Sequence, residues 1–328
     1  MIGIFRQRTP LVWIALPIYA VFIKWPYWTL PQSLADTSTG GVLFEPLIRF
    51  LNGDQPQSIR LRLVGLLLNL LQALLINALI NRHRMMGSVN QLPALAYLTI
   101  SSALPAWNAF TPTSLVITIT LWIFQSQFSL YQSPQSRGAV YNRCLVWALL
   151  PLIEPAAWSL CLWGWICIWV MRPFRWSEFG VMLVGLLTPY YFLGVWRYWN
   201  GVDAWYRMLP PIHVQLPNIG DPRWFFAGVG LLAIPTLLGM MQVQSNLRKM
   251  LIPVRKGWTH WTLLLILTLP MPFLVDAGGW SGFGAILVPI AAFQACFFYY
   301  SSLRILPLIF FWAQLFAVLW IQYGSRFS

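Results

Sequence analysis

Charge is what this sequence has least of. Only 9% of its 328 residues are Asp, Glu, Lys or Arg, where soluble domains carry roughly 25%. So few charges cannot cover a chain of this length with a water-compatible surface, which excludes a pair of soluble domains. Acids are the scarcest, eight against 21 bases, for a formal net charge of +13. The four cysteines, Cys144, Cys161, Cys167 and Cys296, all lie in apolar stretches. They have no zinc spacing and make no disulfide framework, so they read as small hydrophobes. His83, His213 and His260 fall in separate segments, and no metal site is expected from them. There is no phosphate-binding Gly-rich loop, no paired His on a helix and no nucleophile elbow. GGWSGFG at 278–284 reads as a tight turn between spans. No cofactor is implied.

What is present is apolar: 58% of residues are hydrophobic and the mean hydropathy is +0.64. A membrane-crossing helix needs about 20 such residues. Eleven candidate spans follow, at about 11–30, 59–81, 92–104, 113–131, 140–152, 155–171, 177–198, 223–244, 259–275, 282–300 and 304–323, with ten as the alternative count. The fold class is therefore all-α, a polytopic transmembrane bundle forming one domain over 1–328.

The bases come as short pairs between spans, among them Arg6/Arg8, Arg82/Arg84, Arg172/Arg175 and Arg255/Lys256. With a cytoplasmic N-terminus, thirteen of the 21 bases fall inside, and seven of the eight acids fall outside with Glu178 the exception. That bias obeys the positive-inside rule and makes nucleic acid an unsuitable partner. Membrane lipids are the expected surroundings. The opening MIGIFRQRTP lacks a small-residue cleavage site and reads as leading into an uncleaved first helix. Prolines 105 and 112 interrupt spans three and four; Pro151, Glu154 and Pro155 break spans five and six. These are expected as short hairpins or re-entrant elements, tolerated at depth only where protein or water surrounds them. Two long outer segments remain, 31–58 and 199–222. Within the first, VLFEPLIRFL at 42–51 fits an interfacial amphipathic helix. Trp163, Trp165, Trp169, Trp196, Trp199 and Trp205 are expected in an aromatic belt at the membrane boundary.

The candidate chemistry lies on the outer side. Asp36 is the candidate general base, and Lys24, Arg60, Arg62, Arg197 and Arg207 are candidate cations for an anionic lipid headgroup. The bland alternatives are acids placed by topology, and Lys24 snorkelling to the nearby boundary. Glu154, between two prolines, is a further intramembrane acid of interest.

Two resemblances bear on this. MIGIFRQRTP and MRPFRWSEFGVMLVGLLTPYYFLGV (171–195) resemble an uncharacterised family of multi-pass inner-membrane proteins from Bacteroidetes, over most of the chain; this implies a Gram-negative inner membrane and no known activity. The layout of about 1–200 resembles membrane glycosyltransferases of the GT-C superfamily. In them an N-in helix is followed by a long outer loop with a catalytic acid and interfacial helices, then an Arg-led second span and short Pro-broken helices. The matching positions are Asp36, VLFEPLIRFL and Arg60/Arg62. The resemblance implies a polyprenyl-phosphate sugar donor and an acid acting as general base. The chain departs from the commonest pattern in having no adjacent acidic pair after the first span and no large soluble C-terminal domain. Two other classes stand beside this one: a non-enzymatic subunit or scaffold with membrane-protein partners, and a transporter. Transporters place polar sites near the midplane, whereas the acids here crowd one surface.

Overall fold

The computed structural model describes residues 2–6, 10–29, 40–52, 59–131, 137–173, 175–201, 222–274, 280–303 and 305–324. Among these all the regular structure is helical, with no strand. Its α-helices are α1 (Ile2–Arg6), α2 (Pro10–Ile23), α3 (Trp25–Thr29), α4 (Phe44–Asn52), α5 (Ile59–Arg82), α6 (Leu92–Ser101) and α7 (Pro112–Gln127). They continue with α8 (Arg137–Ile153), α9 (Trp158–Met171), α10 (Trp176–Trp199), α11 (Pro222–Asn246), α12 (Ile252–Thr268), α13 (Leu287–Tyr300) and α14 (Ile305–Gly324). Among the described residues each of the eleven expected spans falls largely on helix. Six helical stretches are long and apolar enough to cross a membrane: 59–82, 112–130, 176–199, 226–249, 282–300 and 305–323. The others are too short by that measure.

The centre of the bundle is α6 against α13. All ten residues of α6 are buried, as are eleven of the fourteen in α13. A helix that is apolar all round belongs in such a core. Around this pair stand α5, α7 and α11, and α8, α9 and α12 continue the packing. At the periphery α10 lies chiefly on α8, where Gly185 lets the helices close up on Cys144 and the Tyr141 carbonyl. Only three of its 24 residues are buried. The four cysteines are buried and unpaired.

Contacts sort the connecting segments into two ends. At one end the Gln91 amide bonds the Phe5 carbonyl (2.9 Å), Arg6 lies over the Tyr299 ring (5.1 Å), and the Gly87 amide bonds the Tyr300 hydroxyl (3.1 Å). Trp258 Nε1 donates to the Met85 carbonyl (3.3 Å), and Lys256 reaches the Met171 carbonyl (3.3 Å) while covering Tyr131. His83 stacks on Phe128 there (3.6 Å); burial, with Arg82 beside it, pushes its imidazole pKa down to about 4. This is the basic end. The opposite end gathers 40–44, 105–113, 153–157, 271–274 and 280–286.

One expectation is corrected. Trp163 is no belt residue: it is fully buried, edge-on to Trp147 and Phe124, and donates to the His260 carbonyl (2.9 Å). Trp169, Trp196 and Trp199 are exposed, and Trp165 is half-buried; Trp205 and His213 lie outside the described residues. Glu178, the one acid expected on the basic side, has a partner there. It accepts two bonds from Arg172, at 3.0 Å from Nε and 2.8 Å from Nη2, with both residues buried. This fork closes the connection between α9 and α10.

Removing one partner of such a pair strands the other charge away from water. Glu178→Ala or Arg172→Ala is expected to lower stability by about 3–5 kcal/mol. Changing both to Met is expected to recover most of it, read by unfolding in detergent or nanodiscs.

A buried polar centre as candidate functional site

Lys24 does not snorkel. Helix α2 breaks there because Pro26, two residues on, has no N–H to offer the Phe22 carbonyl. The chain resumes as α3 after a one-residue turn. The break turns Lys24 inward, leaving 1% of it exposed. Its ammonium donates to Asn108 Oδ1, to Ser101 Oγ (3.3 Å) and to Asn69 Oδ1 (3.5 Å). An ammonium has three donors, and all three find uncharged oxygens.

Those acceptors come from three elements with one shared problem. Helix α6 has ten residues, about 15 Å of rise, roughly half the hydrocarbon thickness. Irregular chain from 102 to 111 then precedes α7. Its main-chain groups sit inside a largely apolar bundle and must be satisfied there. Helix α5 supplies much of what they need. Asn69 Nδ2 donates to the Trp107 carbonyl (3.2 Å), and Gln72 Nε2 donates to the Ser114 carbonyl (2.7 Å) and to Thr118 Oγ1 (2.9 Å). Tyr97 donates to Gln72 Oε1 (2.5 Å). From the C-terminal helix, Gln322 Nε2 reaches the Ser102 carbonyl (2.5 Å). A capping box of Thr111 and Ser114 starts α7, satisfying its first amides.

Gly65 allows the approach. A Cβ there would sit 2.6 Å from the Asn108 carbonyl oxygen and 2.9 Å from the Phe110 amide. Gly65 lies six residues inside α5, about 9 Å along its axis. The tip of the α6–α7 hairpin is thus recessed below the start of α5. Helix α4 packs on α5 nearby, its Phe44 buried and 5.5 Å from Phe110 while Phe50 faces outward. This is the amphipathic helix that the 42–51 pattern suggested. Its leading segment is tied down by the Gly41 amide to the Ile153 carbonyl (2.7 Å) and the Leu43 amide to the Leu152 carbonyl (3.0 Å). Glu154 follows at once. It is buried, and its Oε1 accepts from Thr113 (2.6 Å). Thr113 also borders a cavity of about 10 Å³ with Gln72, Tyr97, Trp107, Thr111 and Ser114, room for about one water molecule.

Compared with protein-family models, with curated proteins and with solved structures, the chain has no match. The site must be judged on its chemistry.

Of the expected site residues, Asp36 and Arg207 lie outside the described residues. Arg60 is exposed and Arg62 half-buried on the first turn of α5, nine and seven residues before Asn69, so about 10–14 Å from it along the axis. Arg197 is half-buried in the last turn of α10. Lys24 is therefore grouped with amides and hydroxyls, and the arginines of α5 stand at the rim. Attention to charge overlooks the amides. Asn69 and Gln72, three apart on one face of an apolar span, are the signal that identifies this centre. No group of three or more His, Cys, Asp or Glu able to hold a metal occurs among the described residues.

Lys24→Met would leave Asn108, Ser101 and Asn69 without their donor. Each buried orphan costs about 1–3 kcal/mol. The variant is expected to lose stability and to increase amide hydrogen exchange in 102–111 well before the rest of the bundle. Exchange that rises uniformly over all helices would argue against a local role.

Proposed function

We propose that this is a multi-pass protein of a bacterial inner membrane, its basic end in the cytoplasm. It acts at the outer face as a GT-C-like glycosyltransferase, or an inactive relative, on a polyprenyl-phosphate-linked sugar. The observation that carries the reading is the first long segment. Its leading end follows α3, five residues beyond Lys24, and its return is bonded to the residues before Glu154. The segment that contains Asp36 is thus flanked by α3 on one side and by the bonded Gly41–Leu43 stretch and α4 on the other. In this reading Asp36 takes the proton of the acceptor hydroxyl. Arg60 and Arg62, at the rim and at the membrane surface, neutralise the lipid phosphate. Lys24, whose donors are already engaged, positions the hairpin instead of holding substrate.

One observation favours a second reading, a subunit of a larger membrane assembly. Helix α10 rests mainly on α8 and exposes Val184, Leu187, Tyr191, Phe192, Val195 and Trp196, a face that a partner helix would fit as well as lipid.

Native mass spectrometry of the protein gently extracted from its own membrane separates the two. The transferase reading expects a retained polyprenyl-phosphate lipid that is lost in Arg60→Ala. It also expects transfer to fall by about 10²–10⁴ in Asp36→Asn. Stoichiometric protein partners without isoprenoid lipid would replace it with the subunit reading.

A further inference from the structure

Glu154 is an acid that nothing above uses, and its surroundings are unusual for a carboxylate. It is 6% exposed. One oxygen accepts from Thr113 (2.6 Å) and the other, Oε2, is buried without a hydrogen-bond partner. The two ion pairs among the described residues are Arg49–Glu45 and Arg172–Glu178. Neither includes it.

Of the described helices packed on α8, α10 brings one base, Arg197, half-buried in its last turn, and no ion pair joins it to Glu154. Helix α7, which supplies Thr113, has no charged residue, and neither has α9. The 3₁₀ turn Met271–Phe273, which packs on Pro155–Ala157, has none either. On its own helix the bases are Arg137 and Arg143, and even Arg143 is eleven residues back, about 16 Å along the axis. The 40–52 segment brings Glu45 and Arg49, both exposed and paired with each other. The titratable groups that remain nearby, Cys161 on α9 and Tyr190 stacked on Trp158, carry no positive charge. Asp36 and Asp276 lie outside the described residues. A carboxylate withdrawn from water, with no ion-pair partner among the described residues and one open lone-pair face, is strongly disfavoured against its neutral form.

We propose that Glu154 is a proton-binding site: a carboxyl held neutral beneath the pinned 40–44 segment, which takes up and releases one proton. This stands apart from the transferase reading and does not need Asp36 or any lipid substrate.

The test is carbodiimide labelling of the whole protein in bilayers, read by peptide mass spectrometry. An apolar carbodiimide enters lipid and adds to a protonated carboxyl. The carboxyl proton goes to a carbodiimide nitrogen, the carboxylate oxygen bonds the central carbon, and acyl migration to nitrogen gives a stable acylurea with no leaving group. Dicyclohexylcarbodiimide is expected to label Glu154 and not Glu178, and Glu154→Gln to remove the label. Labelling is expected to decline across about pH 6 to pH 9, approaching tenfold per pH unit beyond the midpoint. Thr113→Val removes a bond that favours the ionised form, so its curve should move to higher pH; it also keeps the test valid if Glu154→Gln misfolds. An unlabelled Glu154 in the folded protein at about pH 6, or labelling that does not change with pH, would overturn the proposal.

Discussion

An interrupted backbone inside an apolar bundle is the constraint on which the rest of this structure depends. Ten residues of α6 cannot cross a membrane, and the chain between Ser102 and Thr111 leaves the helical pattern at depth. Every amide and carbonyl it exposes there has to find a partner in the protein. The polar face of α5 answers that need, with Asn69 donating to the Trp107 carbonyl within the interruption and Gln72 to the Ser114 carbonyl in the first turn of α7. Lys24 adds the remaining tie, joining α5, the end of α6 and the turn at Asn108 through one ammonium group. The close approach at Gly65 brings these groups within reach.

The same arrangement explains why the opposite end of the bundle differs from the basic one. At the basic end the charged groups are spent on the protein itself: Arg172 on Glu178, Arg143 on Ser126 and Ser129, Lys256 on Met171 and Tyr131. At the other end, the recessed hairpin leaves polar groups beneath α4. It also sets Thr113 beside Glu154, where the acid meets a hydroxyl and has no ion-pair partner among the described residues.

Much of the fold was legible in the sequence because apolar run length and proline position report directly on helices in lipid. Among the described residues the eleven runs are largely helical, the chain leaves the helix between Ser101 and Pro112 and again at Glu154, although α8 continues through Pro151, and VLFEPLIRFL is largely a helix. The centre was less legible. Lys24 was visible as a costly residue and a candidate headgroup cation, but whether it turns inward or snorkels depends on the kink at Pro26. Asn69 and Gln72 carry no charge and so leave no mark on a charge-based topology. Trp163 failed similarly: a tryptophan near a predicted boundary looks interfacial, and only the packing of α9 on α12 places it in the core. The ion pair of Arg172 and Glu178 spans six residues across a helix break, which no single periodicity reveals.

The central claim, that Lys24 is a buried tie for the broken hairpin, has a direct test because the chain contains only three lysines. With nitrogen-15 lysine in a bilayer sample, solid-state NMR resolves Lys24 from Lys249 and Lys256. The account predicts slow hydrogen exchange at the Lys24 side chain, with cross-peaks from Nζ to the Asn108 and Asn69 side-chain carbonyls. A Lys24 signal exchanging as freely as exposed Lys249, with no contact to Asn108, would contradict it.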